Sequence, residues 1–155
     1  MAETNAAQAE QQFALQRIYI KDASFEAPLG AQAFTKQWRP QVQVDLNTQS
    51  SRVADDNYEV VLTVTITAKL DDETAFLIEA EQAGLFLVKG LEGENLRQVL
   101  AIMCPTILFP YARETIDALA LKGSFPPLML QPVNFEALYA QARQQAEQQA
   151  APSVQ

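Results

Sequence analysis

From Tyr58 to Leu70 every second residue is apolar: Tyr58, Val60, Leu62, Val64, Ile66, Ala68 and Leu70 share one side of an extended chain, while Glu59, Thr63, Thr65, Thr67 and Lys69 share the other. A period of two marks a strand with one buried face. Turn-like "ADDN" precedes it and "DDE" follows it, so "TAFLIEAEQAGLFLV" is expected to return as the next antiparallel strand of a hairpin. Upstream, "QVQVDLN" alternates with Val42, Val44 and Leu46 on one face. "FALQRIYIKDASFEAP" predicts a long strand whose apolar phase slips near Lys21, the mark of a bulge. After Gly90 and Gly93 the period becomes helical, with Leu96, Val99, Leu100 and Met103 at i, i+3, i+4 and i+7. Pro105 is expected to interrupt this helix and Pro110 to open a new one, whose apolar positions Tyr111, Thr115, Ile116 and Leu119 run to the stop signal Lys122, Gly123. The proline-rich loop "SFPPLMLQPV" then leads to Asn134, which can cap a last helix with Phe135, Leu138, Tyr139, Ala142 and Ala146 on one face.

Strands followed by helices point to the α+β class: a four-stranded antiparallel sheet with helices packed on one face. Residues 1–12 read as a mobile N-terminal arm, 13–143 as one domain and 144–155 as a flexible Gln/Ala-rich tail. The stretch from 94 to 122 is apolar on more than one side, because Ile102, Cys104, Ile107, Leu108, Phe109 and Ala112 add to the stripes above. One sheet cannot cover such a girth, so this region is expected to form an oligomer interface as well.

The chain of 155 residues has 11 basic against 19 acidic residues, a net charge of −8, which speaks against a phosphate-binding surface and hence against nucleic acid. It contains no histidine, the commonest general base and a favoured metal ligand. Cys104 is the single cysteine and no intramolecular disulfide can form; together with an opening unlike a signal peptide, this predicts a cytoplasmic protein. Apolar runs broken by Lys89, Pro105 and Pro110 predict no membrane insertion.

Candidate chemistry is sparse. "DASFEAP" places Asp22, Ser24 and Glu26 on one side of a strand and Ala23, Phe25 and Ala27 on the other. At about 3.3 Å per residue the two acids stand roughly 13 Å apart, too far to flank one glycosidic bond. Glu79 and Glu81 are closer but point in parallel. Leu77 shares their face, so an apolar residue sits among acids as on a small polar-rimmed binding surface. Cys104 follows an apolar helix with no base beside it, the setting of an inert buried thiol, and Gly84, Gly90 and Gly93 form no phosphate fingerprint. Phe34, Trp38, Phe125, Leu128, Met129, Leu130 and Phe135 lie in or beside irregular segments, where they can wall an adaptable apolar groove. The rival reading is a small-ligand enzyme or carrier with an aromatic-lined pocket, for which Asp45 is the nearest candidate base.

The blocks "QRIYIKDASFEAP", "YEVVLTVTITAKL", "ETAFLIEAEQAGLF", "CPTILFPYARE" and "PVNFEALY", in this order, resemble the SecB family of bacterial export chaperones. The resemblance implies a chaperone domain over 13–143, without enzymatic activity or cofactor, that holds unfolded precursors independently of ATP and passes them to the SecA translocation ATPase. It implies a homotetramer, a dimer of dimers, with Ile78, Ala80 and Gln82 at positions that affect assembly; Ile107 and Leu108 belong to the helical region read above as an interface. It matches Asp22, Glu26, Leu77 and Glu79 to the face that docks the zinc-bearing C-terminal tail of SecA, so the zinc is the partner's and this chain needs no metal. The family's client groove corresponds here to Trp38, the "SFPPLML" loop and Phe135, with Phe34 added by proximity in sequence.

Overall fold

The computed structural model describes residues 10–150. Residues 1–9 of the predicted arm and 151–155 of the predicted tail lie outside them. Strands β1 (Gln12–Glu26), β2 (Gln41–Ala54), β3 (Asn57–Leu70) and β4 (Glu73–Lys89) form one antiparallel sheet in the order β1-β4-β3-β2. Both turns of the meander use Asp at positive φ: Asp55 at 43°, and Asp71 and Asp72 at 48° and 65°. Two consecutive left-handed residues between β3 and β4 make the turn that matches the twist of a hairpin. The phase slip predicted near Lys21 is a register shift between Ile20 and Asp22, and a second one between Leu15 and Arg17 went unforeseen. β2 runs on to Ala54, beyond the apolar alternation that marked its first half.

Alternation turns Val60, Leu62, Val64, Ile66 and Ala68 of β3, and Phe76, Ile78, Ala80 and Phe86 of β4, to one face, where each is fully buried. Covering them is a helix, α1 (Gly93–Lys122), that places Cys104, Leu108, Phe109, Ala112, Ile116 and Ala120 in the same core. Complete burial of a Leu, Ile or Phe side chain stabilises the fold by about 1.5–3 kcal/mol each. Gly84 on β4 makes room for this contact, since a Cβ there would stand 3.0 Å from Leu108 Cδ2 and 2.7 Å from Phe86.

The expected break at Pro105 does not occur: the two predicted helices are one. The backbone is α-helical over Gly93–Gln98, π-helical over Val99–Met103 and α-helical again over Cys104–Lys122. In the widened turn the Cys104 N–H bonds back five residues to the Val99 carbonyl, and the Thr106 hydroxyl donates to the Ile102 carbonyl at 2.6 Å. Proline's missing N–H and its ring are thus absorbed locally instead of ending the helix. Pro110 sits inside the helix, which the buried neighbours Leu108, Phe109 and Ala112 hold against the sheet. Continuity also makes α1 long and apolar enough, by length and composition, to span a membrane, contrary to the sequence expectation. Its apolar side packs on the sheet.

The last helix, α2 (Phe135–Ala150), begins as predicted, with Asn134 Oδ1 accepting the Ala137 N–H at 3.0 Å. It continues through the first residues of the segment read as a flexible tail, because Gln, Ala and Glu are good helix formers even when exposed.

Candidate functional site

The outer face of the sheet, away from α1, carries the acids. Asp22 pairs with Glu81, Ser24 with Glu79 and Glu26 with Leu77 across β1 and β4, while Thr63, Thr65 and Thr67 lie opposite Glu81, Glu79 and Leu77 on β3. The four predicted docking residues therefore share one patch: Asp22 and Glu26 exposed at the β1 edge, Leu77 and Glu79 half-buried beside them. Glu81 belongs to the patch too, and sequence reasoning considered it only as half of a catalytic pair. Asp45 stands opposite Thr65, exposed, and accepts a hydrogen bond from Gln43 Nε2 at 3.1 Å. Gln82 is the one polar residue buried among the described residues, so the isolated interior acid that a pocket enzyme would use is missing from them.

Glu59 is set apart from this patch. Lys21 Nζ lies 2.8 Å from its carboxylate and the Tyr19 hydroxyl donates to the other oxygen, both reaching across β4 where the small Ala83 faces Tyr19. The Lys21 hydrogen bond, followed by that of Tyr19, holds the Glu59 carboxyl below its usual range. Burial, reinforced by the Glu59 hydrogen bond, pushes Tyr19 up to about 12. One acid is thereby neutralised within the chain.

On the inner face, at the end of the sheet near Phe25 and Phe76, five aromatic rings converge. Phe125 stands at the centre, with ring centroids 4.8 Å from Phe76, 5.1 Å from Trp38, 5.3 Å from Phe34 and 6.4 Å from Phe25. Phe125 is buried and Trp38 half-buried, whereas Phe34 is 56% exposed at the rim. Gly123 permits the cluster: a Cβ there would overlap the Phe25 ring, so only glycine lets the chain leaving α1 pass this close. Next to the rings runs the loop that carries Leu128 and Leu130, both half-buried, and Met129, 70% exposed. Phe25 and Phe76 were missed as site residues; their place on the apolar faces of strands was legible, their meeting with a distant loop was not.

Phe135 goes elsewhere. It is buried edge-on against Phe109, at 6.1 Å between centroids, and lines a cavity of about 400 Å³ with Leu46, Thr48, Ala101 and Leu138. Ile78, Ala80 and Gln82, read as interface positions, are buried within this single chain beneath α1, and Leu108 is buried on the side of α1 that faces them, which leaves only Ile107 of that group half-exposed. Gln82 is held there by donating to the Tyr19 carbonyl at 3.2 Å. Cys104 is fully buried and burial pushes its thiol up to about 12, so it stays an unreactive core residue.

Comparison with known proteins identifies the family. The family model for preprotein translocase subunit SecB matches residues 6–146. The protein-export protein SecB of Hahella chejuensis is 61% identical over 155 residues, covering 99% of this chain and 97% of that one. That of Marinobacter nauticus is 54% identical over 147 residues, covering 95% and 89%. Among solved structures, a SecB-like chaperone from Mycobacterium tuberculosis in complex with an antitoxin peptide has the same fold, with a TM-score of 0.60 at 18% identity over 83% of this chain and 92% of that one. On this family match and these relatives, the chain belongs to the SecB family of chaperones for preprotein export.

Proposed function

We propose that the aromatic cluster and the loop beside it hold unfolded precursors, while the opposite acidic face delivers them to SecA. The observation that carries this reading is the separation of the two surfaces by the sheet itself: Phe34, Trp38, Phe125, Leu128, Met129 and Leu130 lie on the inner side, Asp22, Glu26, Leu77 and Glu79 on the outer side. A client and a docking partner can then be bound at once. Phe135 belongs to a second, separate apolar subsite against β2.

Capture works without ATP or any enzymatic step. Unfolded chains offer apolar segments and folded ones hide them, so a slow folder stays available while a fast one withdraws. Affinity comes from many weak contacts: successive segments of one client are linked by their own chain and engage several grooves at raised effective concentration. Four copies arranged as a dimer of dimers would provide those grooves in the cytoplasm. On the outer face, individual exposed ion pairs contribute only about 0–1 kcal/mol, so a basic, zinc-bearing tail of SecA is held by several together and steered by the −8 charge of each protomer.

The test is charge reversal. Glu79→Lys should weaken binding of the SecA tail about tenfold by calorimetry, with the loss shrinking as salt is raised, and leave capture of an unfolded polypeptide unchanged. Unaltered tail affinity would remove this face from the delivery step.

A further inference from the structure

Met129 is the most exposed large apolar residue described, and its backbone is in the left-handed region at φ 51°. A residue with a long side chain does not settle there unaided, because its Cβ crowds its own carbonyl. Ser124, on the same connection, is also left-handed at φ 66°. The stretch between α1 and α2 holds Pro126, Pro127 and Pro132 and belongs to no helix or strand, so no regular ladder fixes its course. Its start is tied to α1 by the Ser124 and Phe125 N–H groups, which donate to the Leu121 and Ala120 carbonyls, and its middle by one side chain: Asp117 Oδ1 accepts the backbone N–H of Leu128 at 2.9 Å and of Met129 at 3.2 Å.

Two successive N–H groups converging on one oxygen form the concave arrangement that suits an anion, and a carboxylate is a stronger acceptor there than any neutral group. The bond to Leu128 is half-buried, where competition from water is reduced. Asp117 lies on α1 close before Ile116's neighbours Leu119 and Ala120, and α1 is anchored in the core through Ile116 and Ala120. The clamp therefore ties the loop to a helix whose inward residues Ile116 and Ala120 are fully buried. With both N–H groups turned toward α1, Leu128 and Leu130 remain half-buried against the core while Met129 is thrust outward.

We infer that Asp117 is a positioning residue for client capture: by fixing the backbone of Leu128 and Met129 it holds the Met129 side chain out as a preformed contact for unfolded chains. The inference rests on the reading of this loop as part of the client surface. Without the clamp, the loop would relax toward backbone conformations with negative φ, and a client would have to reorder it on binding.

The experiment is a double-mutant cycle read by affinity for a carboxymethylated, permanently unfolded polypeptide, using the full-length assembled protein. Met129→Ser tests the surface itself and Asp117→Ala the clamp. Asp117→Ala is expected to weaken binding about tenfold, and Asp117→Asn, which keeps the oxygen but not the charge, about threefold. In the Met129→Ser background the Asp117→Ala effect should largely vanish, since there is no longer a side chain to present; a general loss of structure would persist there. Full additivity, or Asp117 variants that bind like the parent while Met129→Ser is weakened, would overturn the inference and leave the client surface standing. If Met129→Ser itself binds like the parent, the client reading of the loop fails, and the inference falls with it. Should Asp117→Ala fail to assemble, Asp117→Asn carries the same cycle, and no weakening in that chain would count against the clamp.

Discussion

Gly123 shows how one missing methyl shapes a surface. Its φ of −84° is open to any residue, so backbone freedom is not what requires glycine there. The requirement is the Phe25 ring, which occupies the space a Cβ would need. Gly123→Ala must push Phe25, and with it Phe76 and Phe125, whose rings stand 6.1 and 6.4 Å from it. Forcing a methyl into a packed aromatic cluster costs about 1–3 kcal/mol, and that is the expected drop in stability on denaturant unfolding. Shortening the ring by Phe25→Leu in the same chain should recover part of the loss. If Gly123→Ala is as stable as the parent, or if Phe25→Leu gives no relief, the overlap is not what constrains this position.

At the scale of elements, the strands and the cap were legible because their signals are local. Alternation from Tyr58 to Leu70 has one structural meaning, the slip near Lys21 shows as a shift of phase, and Asn134 caps α2 from three residues away. The continuity of α1 was not legible. Proline is a local stop signal, but the π turn at Val99–Met103 and burial of Leu108 and Phe109 overrule it, and burial depends on a sheet distant in sequence. The same holds for the meeting of Phe25 and Phe76 with Phe125, and for Asp117 with Leu128. Equally hidden was Glu94, in the first turn of α1, which gathers hydrogen bonds from Tyr139 at 2.8 Å and Arg143 at 2.7 Å on α2 and from Arg97 at 3.2 Å on its own helix. These contacts matter because Phe135 is the only buried residue of α2.

The Glu94 tie gives α2 a pH dependence of known sign. The Tyr139 hydroxyl first, then Arg97 and Arg143, hold the Glu94 carboxyl below its ordinary range. A depressed folded value means the stabilisation is present above the unfolded value, near 4.3, and is lost as pH falls through the folded one. At pH 7, Glu94→Gln should therefore speed hydrogen exchange in α2 by roughly threefold relative to the parent, with β3 unaffected. As pH falls through the depressed folded value, below the ordinary carboxylate range, the two chains should converge, because the parent's carboxyl is then neutral as well. A difference that survives at low pH would show that the tie is not electrostatic.

For the whole molecule, geometry sets the last expectation. Four strands at about 4.8 Å spacing present a face wider than the roughly 10 Å of one helix, so α1 can cover β3 and β4 but not the two edges. The uncovered residues are the ones left exposed: Phe13, Leu15 and Ile20 on β1, Val42 and Val44 on β2. On the outward side of α1, Met103, Tyr111 and Leu121 are each about half-exposed; with half-exposed Ile107, four-residue steps run from Met103 to Tyr111, and Leu121 lies ten residues on, along the same side of the helix. A long free edge on β1 and such a stripe are each costly in water unless other copies cover them. The edge and the stripe lie on different sides of the molecule, so covering them takes two distinct contacts, which is the logic of a dimer of dimers. Tyr111→Arg puts a charge in the middle of the stripe without touching the buried side of α1. It should halve the mass measured by light scattering while leaving the thermal unfolding of the remaining dimer cooperative, because the edge contact does not involve that stripe. A mass equal to the parent's would place the stripe outside the assembly and leave its apolar character without a partner.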